Sequence, residues 1–464
     1  MKGTRALTRN VDLLTGDPRK SILRFAAPML VGNVFQELYN TVDTLVVGKF
    51  DGSAALAAVG AAGVPFMLIN AITIGFSVGA SILIGQYYGA KGKEELRRIS
   101  GTVLLMTLIL GLVVTVANYF LCRPLLELLN VKGQLLDQAH IYLQTVGWFL
   151  IPMMLYNNMS ALLRGVGNAR MPLVFLIICT FINIVLDLYF VIKLKWSVFG
   201  VALATGIAQA VSAVLVLGYI YIFAPDLAAK KRELRIDGKI LGKMIRLGLP
   251  NAVQTSAVML GVVVLQRIIN DFGDNVIAAY SVGSKVNSFA QMPIMSLGAT
   301  ISTYVAQNLG AGETQRIKKG LGFTMKISLA LTVVLSVVIV IFRHQLIGIF
   351  TKKEDVEVIR IGGQYLMIYS TFFIFMAAMN IFQGAMNGAG DTFFTMVVSI
   401  AMTFLRLPLA YLFTGPLQMD YRGAWITFPI TWAVALVIFI FRYRSGRWRK
   451  ALVGDAGHRA NSAS

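Results

Sequence analysis

Twelve apolar stretches follow one another along the chain, separated by short polar connections. They run 22 to 47, 56 to 87, 99 to 121, 138 to 163, 171 to 192 and 199 to 223, then 243 to 270, 277 to 307, 322 to 342, 360 to 384, 393 to 415 and 423 to 441. A helix needs about 20 residues to cross roughly 30 Å of hydrocarbon. The pattern therefore predicts an all-α integral membrane protein with twelve transmembrane helices. The polar, basic segment 224–242 is the longest connection. It divides the chain into an N-terminal segment 1–21, a first lobe 22–223, a linker 224–242, a second lobe 243–441 and a basic tail 442–464.

The second half repeats the first at an offset near 222. Pro28 answers Pro250, Gly60 answers Gly283, and GQYYGA (85–90) answers AQNLGA (306–311). At an offset of 223, RGVGNA (164–169) falls on NGAGDT (387–392), TFINIVLDLYF (180–190) on TFLRLPLAYLF (403–413), and Gly200 on Gly423. An even number of spans per half makes the repeat parallel, and substrate sites of transporters built this way lie between the repeats. Pro28, Pro152, Pro250 and Pro408 fall inside spans, where a missing backbone donor favours a bend.

Composition agrees: 56% of residues are hydrophobic and 14% charged, against about 25% charged in a soluble domain. A net charge of +20 first suggests nucleic acid as a partner, but the basic residues sit in alternate connections. Lys2, Arg5, Arg9, Lys91, Lys93, Lys230, Lys231, Arg316, Lys318 and the tail collect on one side, and Lys352 and Lys353 on the other are offset by Glu354, Asp355 and Glu357. This positive-inside asymmetry predicts cytoplasmic termini, a cell-membrane location and no nucleic-acid partner. The first span lacks a cleavage pattern and is read as a retained helix. Cys122 and Cys179 are too sparse for a disulfide framework and are read as packing residues.

Charge at membrane depth is costly, so each such residue is a functional candidate. On the first span Gln36, Tyr39, Asn40 and Asp43 share one helical face, and on the fifth Thr180, Asn183 and Asp187 are spaced i, i+3 and i+7. At 1.5 Å rise per residue, Asp43, Asp187 and Thr205 lie at comparable heights, roughly 6 to 9 Å inside the outer surface. Neighbouring charge and desolvation would favour a proton on at least one acid, and the same oxygens could hold a small hard cation such as Na+. Helix capping or solvent exposure is the competing reading for either Asp.

In the second half, Arg406 stands where Asn183 is and Ala410 where Asp187 is. Ion chemistry is thereby expected in the first half alone, with Arg406 ordering its lobe or meeting a carbonyl. Glu37 stands deep in the first span, as a lobe contact or a substrate-facing charge. Lys285, Arg267 and Asp271 are expected at the interface. Paired His, HExxH or a nucleophile with its base would mark a membrane enzyme. His140, His344 and His458 instead fall at helix ends, in loops or in the tail, so no enzyme and no organic cofactor are expected. A lipid-linked saccharide flippase would want a cation-lined groove, and a receptor or scaffold a sizeable extramembrane region.

The segments NVFQELYNTVDTLVVGKFDGSAALAAVG (33–60), GQYYGAK (85–91), GVGNARMP (165–172) and GAMNGAGDT (384–392) resemble the multidrug and toxic compound extrusion (MATE) family, in its DinF-like and MepA-like branch. The resemblance runs from about Pro28 to Trp432. It implies two six-helix bundles forming a V, alternating access, and export of cationic lipophilic compounds in exchange for H+ or Na+. It also implies an ion-coupling site at Asp43, Asn183, Asp187 and Thr205, with Tyr39 as aromatic neighbour. The NorM-like branch relies instead on acids in helices seven and ten, and span 360–384 contains none. Gln36, Glu37, Tyr39, Asn40, Asn157 and Arg406 are the candidate substrate contacts, organic cations and the bilayer the expected partners, and a monomer the expected state.

Overall fold

The computed structural model describes residues 10–351 and 354–450. Lys2, Arg5, Arg9, Lys352, Lys353, His458 and the tail beyond 450 lie outside the described residues. Among those described there are fourteen α-helices and no strand. They are α1 Pro18–Val46, α2 Ser53–Gly89, α3 Lys93–Leu128, α4 Gly133–Trp148, α5 Leu150–Gly165, α6 Arg170–Leu188, α7 Ser197–Phe223, α8 Gly238–Asn270, α9 Asp274–Gly310, α10 Thr314–Gly348, α11 Val356–Thr371, α12 Phe373–Ala389, α13 Thr392–Thr414 and α14 Asp420–Arg444.

Two predicted spans are each broken into a pair. The fourth bends by 53° between α4 and α5, and the tenth by 49° between α11 and α12. The breaks fall at Phe149 and Phe372, one repeat of 223 apart. Pro152 explains the first, because it sits in the opening turn of α5, where no backbone donor is required. Phe372 has no proline beside it, so the second break carries no local signature. Counting each pair as one rod gives twelve, of which ten are long and apolar enough to cross a membrane. The two that fall short are α1 and α9, 29 and 37 residues long, whose polar side chains lower their hydropathy.

The duplication extends to backbone detail. Helices α2 and α9 have identical lengths and start after Gly52 and Gly273, both at positive φ, so Gly60 answers Ser281 within this pair, and not Gly283. The chain enters α7 through Lys195 at φ 56° and Ser197 at 48°, and α14 through Gln418 at 49° and Asp420 at 48°. Left-handed backbone outside glycine is unfavourable by about 1–2 kcal/mol per residue. Glycine also permits close approach: a Cβ on Gly165 would strike Ile84 and the carbonyl of Ser81, and one on Gly388 the carbonyl of Ser302.

Contacts divide the chain into two units. The first holds Ala27–Ala252 together with the described residues up to Asp12; the second holds Leu13–Ala26 and the chain from Val253. In the first unit the connection after α7 folds back on α3, where Thr102 donates to the Arg235 carbonyl and accepts from the Asp237 amide. In the second, Arg316 gathers the carbonyls of Leu13, Thr15 and Gly16, fixing the chain that enters α1. The core of the second unit is aromatic, with Tyr280, Tyr365, Tyr369, Phe373, Trp425, Phe428 and Trp432 in one cluster. That of the first unit is aliphatic around the ends of α1 and α6, with Val46, Val47, Val191, Val198 and Val201.

Candidate ion site in the first unit

Helix α6 presents Thr180, Asn183 and Asp187 on one buried face. Thr180 returns its hydroxyl to the Leu176 carbonyl, which leaves Asn183 and Asp187, both 0% exposed, as the groups with capacity to spare. Helix α1 brings Tyr39, which is buried, and Asp43, which is partly buried. Helix α7 brings Thr205. Asn183 donates its amide to the Thr205 hydroxyl at 3.5 Å, and Thr205 donates to Asp43 Oδ2 at 3.4 Å. These are long contacts at the edge of hydrogen-bonding range. Asp43 and Asp187 adjoin each other directly.

The polar atoms left over share one character. The hydroxyl of Tyr39, Asp43 Oδ1, Asn183 Oδ1 and both carboxylate oxygens of Asp187 are buried without a hydrogen-bond partner. All are oxygens, and buried polar atoms are normally satisfied. A single positive charge placed among them would satisfy several at once and offset the repulsion of the paired acids. Two unit charges 4 Å apart repel by about 4 kcal/mol at an effective dielectric of 20.

The backbone is irregular at the same place. Helix α1 runs into a π turn at Val47–Asp51 and α6 into another at Tyr189–Lys193, and the two turns lie against each other. Among the described residues no other π turn occurs. Such turns recur beside functional groups.

The remaining predicted contacts are dispersed. Gln36 and Asn40 are exposed on α1, and Glu37 is half-buried. Asn157 donates to the Met153 carbonyl of its own helix. Arg406 lies in the second unit, where it meets the Phe428 ring and the Thr431 hydroxyl, and not a carbonyl. Lys285, Arg267 and Asp271 are exposed. Two features escaped the sequence reading. Tyr142 of α4 stands close to both Asp43 and Asp187. Ser77, Asn158 and Thr107 form a buried chain, Ser77 donating to Asn158 at 2.8 Å and Asn158 to Thr107 at 2.9 Å. The 223-residue offset from Tyr142 to Tyr365 was a usable signal for the former.

The MatE family model matches residues 28–189 and 249–412, and so covers well over half of the chain in two copies that follow the repeat. This chain belongs to the MATE family. It is accordingly a multi-pass membrane transporter. A relative from Bacillus subtilis (strain 168), "Probable multidrug resistance protein YoeA", is 30% identical over 439 residues, spanning 93% of this chain and 94% of its own. "Multidrug export protein MepA" of Staphylococcus saprophyticus is 21% identical over 85% of this chain and 87% of its own length. A MATE multidrug resistance transporter solved in an outward-facing conformation has a TM-score of 0.90 at 24% identity, covering 95% of this chain and 99% of the other. That likeness establishes the MATE fold here.

Proposed function

We propose that this MATE chain is an antiporter that exports cationic, lipophilic compounds and takes up one monovalent cation, H+ or Na+, at Asp43, Asp187, Asn183 and Thr205. The observation that carries this reading is the gathering of two adjoining carboxylates with unpartnered buried oxygens in one bundle. The names of the Bacillus and Staphylococcus relatives support multidrug export. In the proposed cycle the outward-facing protein binds the ion between Asp43 and Asp187, which relieves their mutual repulsion. The first unit then packs in its ion-filled form, in which affinity for the exported cation is lower, and the cation leaves. Linkage makes the effect reciprocal: bound drug weakens ion binding by the same factor.

In this reading Thr205 and Asn183 position Asp43, while Tyr39 and Tyr142 close the site to bulk water. In the same reading the lobes are residues 22–223 and 243–441, the termini face the cytoplasm, and the protein acts as a monomer in the cell membrane. Efflux from proteoliposomes under separately imposed proton and sodium gradients tests the exchange. A response to one gradient identifies the ion, and efflux that ignores both refutes antiport.

A further inference from the structure

The two halves carry opposite chemistry at matching positions. At the offset of 223, Asn183 falls on Arg406, Asp187 on Ala410, Thr205 on Phe428 and Tyr142 on Tyr365. In the second unit these residues also meet. The guanidinium of Arg406 lies 4.0 Å from the centre of the Phe428 ring and donates through Nη2 to the Thr431 hydroxyl at 3.1 Å. Phe428 packs on Tyr369, Tyr369 on Tyr365, and Tyr365 edge-on against Trp425. Arg406 is 8% exposed. The titratable groups that act on it are the phenols of Tyr369 and Tyr280, and among the described residues no carboxylate forms an ion pair with it.

A guanidinium stays charged and offers five donors. A buried charge that lacks a counter-charge is strongly unfavourable, and an aromatic face with one hydroxyl compensates it only in part. The unused atoms specify the missing polarity. Arg406 Nε is buried without a partner, and it can only donate. The buried oxygen of Asn287 is also unpartnered, but a side-chain amide that turns over presents its NH2 instead. Ring edges carry positive potential as well.

We propose that the second unit holds an anion site centred on Arg406, with the phenols of Tyr369 and Tyr280 around it, that takes a single small negative charge: a halide ion or the carboxylate group of an organic acid. One guanidinium matches one negative charge, and the near-closure of Arg406 to solvent selects a group of few atoms. The site is independent of the ion exchange assigned to the first unit.

The test is thermal unfolding of the purified full chain in detergent, with chloride replacing a bulky sulfonate anion at constant ionic strength. Chloride is expected to raise the melting temperature by about 2–4 °C at saturation. The shift disappears in Arg406→Gln and persists in Asp187→Asn. Arg406→Lys keeps the charge but loses the Nε donor, and needs about ten-fold more chloride for half the shift. Acetate is the second arm: a shift with chloride assigns the site to inorganic anions, and a shift with acetate alone assigns it to organic carboxylates. Equal responses of wild type and both Arg406 variants to the two anions, or no response of the wild type to either, overturn the proposal.

Discussion

The ends of α6 and α13 are the same piece of structure built twice, and they differ in what they bury. The first unit buries two carboxylates beside an amide and a hydroxyl, with oxygens to spare. The second buries a guanidinium over a phenyl ring, with donors to spare. A second matched pair makes the same point closer to the opposite end of the helices: Asn168 donates to the Tyr219 hydroxyl at 3.1 Å, and at plus 223 Asp391 pairs with Arg442 at 2.8 Å. Duplication thus preserved where polar groups meet and left their charge free to diverge. A fold fixed by helix packing tolerates this, because each exchange needs to satisfy only its own neighbours.

Exchanging the polarity should separate the two halves by the largest effect. Asp187→Asn is expected to reduce gradient-driven efflux to the level of empty liposomes while the purified protein keeps its elution profile; efflux within two-fold of wild type would remove Asp187 from the ion site. Ala410→Asp restores to α13 the acid that α6 carries, one turn from Arg406. It is expected to abolish the chloride-dependent stabilisation by supplying the negative charge internally, and a retained shift would separate Arg406 from that response. Both glycines of the repeated helix contact should resist alanine. Gly388→Ala meets the Ser302 carbonyl, and Gly165→Ala meets Ile84 Cγ2 and the Ser81 carbonyl, so each should lose about 2–3 kcal/mol; a loss at either site below about 0.5 kcal/mol in denaturation would contradict the close approach. Smallest is the contrast at the second matched pair, where Arg442→Met should cost about 2 kcal/mol and Tyr219→Phe about 1 kcal/mol, read as melting temperatures.

Hydropathy located the rods because the demand for apolar length acts on every residue of a span. The repeat was legible because Pro28 and Pro250, Gly165 and Gly388, and Gly200 and Gly423 stand at matching places, while its register drifts between 221 and 223 along the chain. Helical spacing and rise were enough to bring Asp43, Asp187 and Thr205 to one height, since α1, α6 and α7 are regular up to that level. What remained hidden depends on contacts between helices. The break at Phe372 has no proline to announce it, the π turns need knowledge of where α1 and α6 meet, and Tyr142 stands in an apolar span with nothing charged beside it.

The left-handed residues Lys195, Ser197, Gln418 and Asp420 carry a consequence for how the molecule is held together. Glycine at any of these four places would relax the backbone, yet each half spends the strain in the same two spots to turn the chain sharply into α7 and α14. The hairpin shape is therefore the inherited quantity, and local comfort is what was given up to keep it. A hairpin loosened by glycine would sit at lower energy in its own loop and hold the hydroxyl of Thr205, two turns further on, less firmly against its acid.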